Sequence, residues 1–498
     1  MLLLCLLLVA PLAAVELPPL LDYPNHLARM VVLAFPHDPV LSRFYAPHWR
    51  LVPDLGIDLT LPPLMHLLPP LLVGRIGIGV IVLLPVLGTL AYHRAVFGRL
   101  HPWAFGVGLV AWNQAMLLGF LNFTAGLGLG LLLAAAWIAW RDRFPRRTLA
   151  LAVAGAVVLF LCHLMGLVTF ALLIAPYEAL RAWPLRLAAP AAVLRRLGVL
   201  LCVFAPPAGL YLLSPLHEEG GAPDFRGPAE KLAQFLVPFD GYVAWLPVAT
   251  ALVVLALAVT ARPHSRPVAL AALLVAFGLF LVAPFGFKGV AHFDTRFIVL
   301  ADYLLFAGLA PRLGRPALVV LFTLVLIRLG VMTSVWSAHA DDLAELRAAI
   351  APVAPGSTVF LASVPPEGNP AYWDSARPGR RLASGLRLDV HMPALLPIER
   401  RAWWPFLFDN NSQQPVATRE PYRSLALRVG TMPDAGALPA QDLCGFDDLL
   451  LLEAGGAPGF ADPRLTPLVR TDFAALFRVD PAACGPLRAA PPLSAGTR

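Results

Sequence analysis

Long apolar runs alternate with short polar stretches along the first two thirds of the chain. Each run has about 15–22 residues, and a helix of that length spans or nearly spans a hydrocarbon core of about 30 Å. We therefore predict about eleven transmembrane helices. They cover residues 1–15, 74–97, 103–119, 121–140, 148–162, 164–182, 196–214, 242–261, 267–285, 297–311 and 316–335. Residues 1–335 are thus predicted to form an α-helical polytopic membrane domain.

Beyond residue 335 the chain changes character, because charged residues and proline return at the frequency of soluble proteins. Residues 340–350 have apolar side chains at the spacing of one helix face. Residues 357–362 and 446–452 have the short apolar runs that are typical of buried strands. We therefore predict a soluble C-terminal α/β domain over residues 336–498.

The loops between the apolar runs sort by charge. One set is rich in arginine and the alternate set, which includes loop 16–73 and residues 215–241, is rich in acidic residues. The positive-inside rule makes the arginine-rich set cytoplasmic. The N-terminus is then cytoplasmic, and loop 16–73 and domain 336–498 are extracytoplasmic. The net charge of +7 belongs to membrane topology, so it does not indicate a nucleic-acid partner.

Five cysteines divide between the two regions. Cys5, Cys162 and Cys202 lie in apolar runs, where a thiol packs as a small apolar group. Cys444 and Cys484 lie in the soluble domain. If that domain is exported to an oxidising compartment, these two residues are able to form a disulfide.

Glycines recur within the predicted span 121–140, at Gly126, Gly128 and Gly130. No strand precedes them, so they do not form a phosphate-binding loop. Small residues at this spacing are typical of helices that pack closely in a membrane.

The stretch after the first apolar run concentrates polar groups, and Asp22 and His26 lie four residues apart within it. Pro24 favours the first turn of a helix, which puts Asp22 at the N-cap and His26 one turn along. A carboxylate and an imidazole on one face form a candidate acid/base or ligand pair. In the alternative interpretation, Asp22 only caps the helix and His26 is exposed to water.

Further polar residues map to the external ends of the predicted spans. Ionisable groups near lipid are costly, so a concentration of them at one level predicts a cavity with a polar floor. The candidate lining residues are Asp22, Asn25, His26, Arg29, Asn122, His163, Lys288, His292, Asp294 and Arg296.

The chemistry of such a cavity follows from these residue types. The carboxylate of Asp22 is able to deprotonate an acceptor hydroxyl or to hold a divalent cation such as Mg²⁺ or Mn²⁺. Lys288 and Arg296 are able to hold a phosphate, and arginine does so through two parallel N–H donors. A base that faces a phosphate clamp at a membrane surface suits sugar transfer from a lipid-phosphate donor.

Two segments carry a resemblance to a family. The first-loop segment Asp22-Tyr23-Pro24-Asn25-His26-Leu27 resembles the Asp-containing first extracytoplasmic loop of the GT-C glycosyltransferases. The segment His292-Phe293-Asp294-Thr295-Arg296-Phe297 is similar to the arginine–aromatic step before a late span of that superfamily. The resemblance implies an integral membrane enzyme of the bacterial inner membrane that uses a polyprenyl-phosphate-linked sugar. Asp22 would be the catalytic base or metal holder, and Arg296 a ligand of the donor phosphate.

The family's adjacent Asp-Glu pair is absent, since Tyr23 follows Asp22. The identity of a second acidic site residue is therefore open, and the candidates are Glu218, Glu219 and Asp294. The sugar and the acceptor, whether glycan, lipid or protein, are not specified by the sequence.

Two other functions fit parts of the pattern. One is a transporter or flippase for a lipid-linked or anionic substrate, although no half-repeat typical of transporters is visible. The other is a non-catalytic protein of cell-envelope glycan assembly, in which the outer domain binds sugar. In that domain, residues 399–408 combine aromatic and basic side chains. They would form a sugar platform, contact lipid headgroups, or be buried where the domain docks on the membrane.

Overall fold

The structure is a computed structural model that describes residues 1–186, 189–261, 264–365, 379–410, 412–427, 432–438 and 443–484. The chain divides into two compact units. Unit 1 comprises Met1–Ala13, Arg50–Leu59 and Ile76–Thr333. Unit 2 comprises Ala14–Trp49, Thr60–Arg75 and Ser334–Arg498, so most of loop 16–73 groups with the C-terminal region.

Most of the regular elements along the chain are helices. The helices are α1 (Leu2–Val9), α2 (Tyr23–Ala34), α3 (Leu41–Phe44), α4 (Gly56–Thr60), α5 (Pro70–Phe97), α6 (Gln114–Leu117), α7 (Leu121–Trp140), α8 (Pro145–Cys162), α9 (Leu164–Ala182), α10 (Pro190–Leu213), α11 (Pro228–Ala233), α12 (Trp245–Thr260), α13 (Pro267–Val282), α14 (Thr295–Gly308), α15 (Arg315–Ile350), α16 (Tyr422–Leu425) and α17 (Pro481–Cys484). The strands are β1 (Tyr45–Pro47), β2 (Val359–Ser363), β3 (Val416–Thr418), β4 (Asp448–Leu452), β5 (Leu465–Arg470) and β6 (Ala474–Val479).

Unit 1 is a helix bundle in which α7 packs on α8 and α9, and α13 packs on α9 and α14. Within the described residues, six helices are long and apolar enough to cross a membrane: α5, α7, α8, α9 (extended to Leu185), α10 and α15. Shorter apolar helices cover Leu2–Ala13, α12 and α13. Leucines of α10 such as Leu194 and Leu201 are exposed, as lipid-facing side chains are. The chain is an integral membrane protein.

The predicted span 103–119 is wrong as a continuous helix. The structure has a 3₁₀ helix at Pro102–Leu109 and then the four-residue helix α6. Asn113 interrupts the two, because its side chain accepts a hydrogen bond from the backbone N–H of Met116 and caps α6. The segment is apolar because it is buried within unit 1. The other ten predicted spans each overlap a helix of the structure.

Close packing explains the glycines of α7, as their spacing predicts. A Cβ atom built on Gly128 would lie 2.5 Å from the backbone nitrogen of Pro85 on α5. A Cβ on Gly126 would lie 3.3 Å from the Cα of Gly166 on α9. Only a residue without a side chain lets these backbones approach so closely.

We expect Gly128→Ala to destabilise the protein by about 1–3 kcal/mol, because an added methyl group must displace the backbone of α5. The matched control is Gly198→Ala on α10, where a Cβ meets nothing within 4 Å. Since alanine favours helix, the control should be neutral or stabilising by up to about 1 kcal/mol. Thermal unfolding in detergent measures both. Equal shifts in the two variants would contradict the packing argument.

Unit 2 has the predicted α/β character. A four-stranded sheet has the order β2-β4-β6-β5, in which β2 and β4 are parallel and the other neighbours are antiparallel. Every residue of β2 and β4 is buried, which explains why all but Ser363 and Asp448 of these strands are apolar. A separate antiparallel pair joins β1 of the first loop to β3, so the loop and the C-terminal region share backbone hydrogen bonds.

The predicted pairing of the last two cysteines is confirmed. Cys444 and Cys484 form a disulfide with their Cα atoms 5.7 Å apart. Cys162 is a buried free thiol, and Cys5 and Cys202 are also free.

Candidate functional site

The first turn of α2 presents the candidate acid/base pair. Asp22 occupies the N-cap position and Pro24 lies in the first turn, as predicted. However, the Asp22 carboxylate makes no capping hydrogen bond. Its Oδ1 lies 3.3 Å from Nδ1 of His391, and its side chain is 18% exposed. The carboxylate is therefore directed toward a C-terminal histidine and remains accessible to solvent.

Asn25, one residue beyond Pro24, ties the C-terminal region to the same turn. Its side-chain amide donates to the carbonyl of Phe406 at 2.7 Å and accepts from the backbone N–H of Phe408 at 2.8 Å. Both contacts are to backbone atoms, so they fix the path of residues 406–408 beside Asp22.

Aromatic rings surround the two histidines at this turn. The ring of Phe408 lies 5.2 Å from that of His26 and 5.3 Å from that of His391, edge to face in both cases. His26 is only 9% exposed and Arg29 is fully buried. His26 is thus not the water-exposed residue of the alternative interpretation.

The aromatic segment 399–408 is packed inside unit 2. Trp403 and Trp404 are each 1% exposed. Trp403 stacks on Phe446, with centroids 5.5 Å apart. The two tryptophans therefore form core, and they do not present an open platform for a sugar.

In unit 1, the segment before α14 carries a buried charge cluster. Asp294 is fully buried and caps α14 by accepting from the N–H of Thr295 at 2.9 Å. It also accepts from Arg226 at 3.1 Å and from Lys231 at 2.9 Å. The two cations offset part of the cost of burying this carboxylate.

His292 lies at the edge of this cluster. Its Nδ1 is 3.3 Å from a guanidinium nitrogen of Arg226, and its ring packs 5.0 Å from that of Phe285. Burial, followed by the charges of Arg226 and Arg296, lowers the pKa of His292 to about 4. At neutral pH it is therefore an uncharged imidazole.

Arg296 lies in the first turn of α14 and is 6% exposed. It donates to the carbonyl of Ala291 at 3.0 Å, and its guanidinium lies over Phe120 at 5.1 Å and Phe123 at 5.8 Å. His163 packs against Phe123, one of the two rings under Arg296, with the ring centroids 5.9 Å apart. Its Nδ1 caps α9 by accepting from the N–H of Met165.

Two further candidates hold backbone. Lys288 donates to the carbonyls of His217 and Glu219, both at 2.8 Å, and to that of Leu216 at 3.4 Å. Asn122 accepts from the N–H of Ile57 and donates to the carbonyl of Asp54, each at 2.8 Å. A direct substrate contact by either side chain remains a prediction, since each is already engaged with a loop.

The structure thus gathers the candidates into two sets. Asp22, Asn25, His26 and Arg29 share the first two turns of α2 in unit 2. His163, His292, Asp294 and Arg296 lie around Phe120, Phe123 and the start of α14 in unit 1. Sequence reasoning missed His391, Arg226 and Lys231. The signal for the last two was present, because both are cations in loop 215–241, which the charge pattern assigns to the side of Asp22.

A metal role for Asp22 finds no supporting ligand set. The part of the chain that the structure describes contains no group of three or more His, Cys, Asp or Glu side chains placed to hold a metal ion. Mg²⁺ is commonly held by one or two carboxylates together with water molecules, so a metal role for Asp22 stays a prediction.

Comparison with solved structures identifies the architecture. The chain matches the crystal structure of ArnT from Cupriavidus metallidurans in the apo state, with a TM-score of 0.51 and 13% identity over 96% of this chain and 97% of that one. The chain has an ArnT-like GT-C fold. ArnT bound to undecaprenyl phosphate matches at a TM-score of 0.50 and 12% identity, over 95% of this chain and 96% of that one. No protein-family model and no curated protein matches the sequence.

Proposed function

We propose that the chain is a membrane glycosyltransferase that moves a sugar from a polyprenyl-phosphate-linked donor to an extracytoplasmic glycan, lipid or protein. One observation carries the proposal: the likeness in fold covers 95% of the chain and extends to a structure of ArnT bound to undecaprenyl phosphate. The polar first turn of α2 adds support, because it holds a solvent-accessible carboxylate beside buried imidazoles.

Asp22 acts as the general base in this proposal. Its carboxylate takes the proton of an acceptor hydroxyl while the acceptor oxygen forms a bond to the anomeric carbon of the sugar. The bond between that carbon and the phosphate oxygen breaks, and the polyprenyl phosphate leaves with the electron pair. Proton removal in this manner is typically worth about 10²–10⁴-fold in rate.

Arg296 holds the donor phosphate. Its guanidinium lies over two phenylalanine rings, which restricts its motion and orients its planar group of N–H donors. Such a fork binds phosphate through two parallel hydrogen bonds. His163 and His292 line the same neighbourhood, and His292 is uncharged at neutral pH, so it is able to serve as a neutral hydrogen-bond partner for the sugar.

The proposal includes an orientation. The chain lies in a bacterial inner membrane with a cytoplasmic N-terminus, and unit 2 with Asp22 is extracytoplasmic. Arginine-rich loops on one side and acidic loops on the other support this orientation. The disulfide between Cys444 and Cys484 supports it too, since disulfides persist in oxidising compartments.

A transfer assay tests the function. The purified full chain is incubated with a panel of undecaprenyl-phosphate sugars, labelled in the sugar, and with membrane lipids and glycans as acceptors. We expect label to move to an acceptor and free undecaprenyl phosphate to appear in equal amount. Movement of intact donor across a liposome without cleavage would instead identify a flippase. If no donor is cleaved and no sugar is transferred, the transferase function is rejected.

A further inference from the structure

We propose that His391, from the C-terminal region, is a positioning residue for Asp22, and that this region thereby completes the catalytic first loop. The inference rests on the proposed function, in which Asp22 is the base. His391 lies 369 positions after Asp22 in the sequence, yet Nδ1 of one and Oδ1 of the other are 3.3 Å apart.

The carboxylate of Asp22 needs an orienting partner. Aspartate at a helix N-terminus normally accepts from the backbone N–H groups of the first turn, but Asp22 makes no such bond. Nδ1 of His391 is buried and makes no hydrogen bond to the described residues. We infer a hydrogen bond from its N–H to Oδ1, because the two atoms lie 3.3 Å apart, and Oδ2 then remains for the acceptor hydroxyl.

The ring of His391 is held in place by aromatic packing. It lies edge to face with Phe408 at 5.3 Å and with Trp404 at 6.0 Å. Asn25, in the same first turn of α2 as Asp22, accepts a hydrogen bond from the backbone N–H of Phe408. The base and its partner are therefore positioned from one short piece of helix, which fixes their separation.

The segment that leads into His391 is anchored independently. Arg380 forms two hydrogen bonds of 3.0 Å to Asp342 on α15. Arg387 pairs with Asp389 at 2.7 Å and donates to the hydroxyl of Ser363, at the end of β2, at 3.2 Å. The segment is therefore tied to Asp342 through Arg380 and to Ser363 through Arg387.

Two substitutions at His391 separate positioning from mere packing. His391→Asn keeps an N–H donor close to the Nδ1 position, whereas His391→Leu keeps similar bulk and removes the donor. We expect the leucine variant to lower kcat about 10²-fold with little change in donor KM, because a misplaced catalytic group costs about that much. The asparagine variant should retain most of kcat. Equal losses in the two variants, or full activity of the leucine variant, would overturn the inference.

A double variant gives the second test. If His391 acts through Asp22, then Asp22→Asn/His391→Leu is no slower than Asp22→Asn alone, whereas unrelated structural damage multiplies the two losses. His37→Leu, an exposed histidine of the same loop, is the control and should be neutral.

An activity-independent readout separates this inference from the proposed function. Thermal unfolding midpoints are measured in detergent for the wild type, for Asp22→Asn, for His391→Leu and for the double variant. Contact between the side chains predicts that the double variant loses less than the sum of the single losses. If no donor supports activity but this non-additivity is found, only the proposed function fails. Strictly additive shifts reject the Asp22–His391 contact whatever the assay shows.

Discussion

Asp22→Asn should lower the turnover of sugar transfer about 10²–10⁴-fold, the range that general-base assistance typically provides. Asparagine has the shape of aspartate but does not take up a proton from a hydroxyl. Asp22 makes no capping hydrogen bond, so the substitution removes no contact that α2 needs to begin. The measurement is kcat with the donor found in the panel assay, together with the unfolding midpoint.

The control for this prediction is Asp38→Asn in the same unit. Asp38 accepts from the N–H groups of Val40 and Leu41 at 2.9 and 3.0 Å, and asparagine is able to accept in the same way. This control removes an equal charge and should keep most of the activity. If both variants lose activity alike, the effect belongs to loop charge and not to a base. If Asp22→Asn turns over as the wild type does, Asp22 is not the base.

Arg380→Met should destabilise the protein by about 3–5 kcal/mol, because removing one partner of a buried ion pair leaves the other uncompensated. Arg380 is 3% exposed and pairs with two buried carboxylates, Asp342 and Glu453. It joins α15 to the segment that carries His391. Chemical unfolding of the full chain in detergent, followed by tryptophan fluorescence, measures the loss.

The cost of this substitution should depend on pH. Burial, followed by the charge of Asp389, raises the pKa of Glu453 above its ordinary value. Without Arg380, Glu453 relieves its burial by taking up a proton, and it does so more readily at lower pH. The destabilisation should therefore be larger at pH 8 than at pH 6. Arg423→Met, at an exposed arginine of unit 2, should change stability by less than about 0.5 kcal/mol at either pH.

Much of the membrane domain is predictable because lipid and the length of a helix impose one strong pattern. Ten of the eleven predicted segments overlap an α-helix of 8 residues or more. The prediction for residues 103–119 is wrong because an apolar sequence indicates removal from water but does not distinguish burial in lipid from burial in protein. Polar Asn113 is the one local signal, since its side chain competes with the helix and caps the next one.

The candidate site is predictable only where it is local. Pro24 and the spacing of Asp22 and His26 indicate the first turn of α2, and the structure bears out that turn. His391 has no comparable signal, because a contact across 369 positions depends on how unit 2 folds. The same holds for Trp403 and Trp404, because the sequence of an aromatic cluster does not reveal whether it binds a sugar at the surface or packs in a core.

A cryo-EM structure of the full chain with undecaprenyl phosphate tests the roles of Asp22 and Arg296. We expect the lipid phosphate within hydrogen-bond reach of the Arg296 guanidinium, and the Asp22 carboxylate facing the same cavity. Asp22→Asn in the same preparation should bind the lipid equally well, because it alters the base and not the phosphate ligand. If Asp22 and Arg296 lie more than about 15 Å apart or on opposite sides of the bundle, they are unable to serve one sugar phosphate and its acceptor. That result would contradict the assignment of both residues.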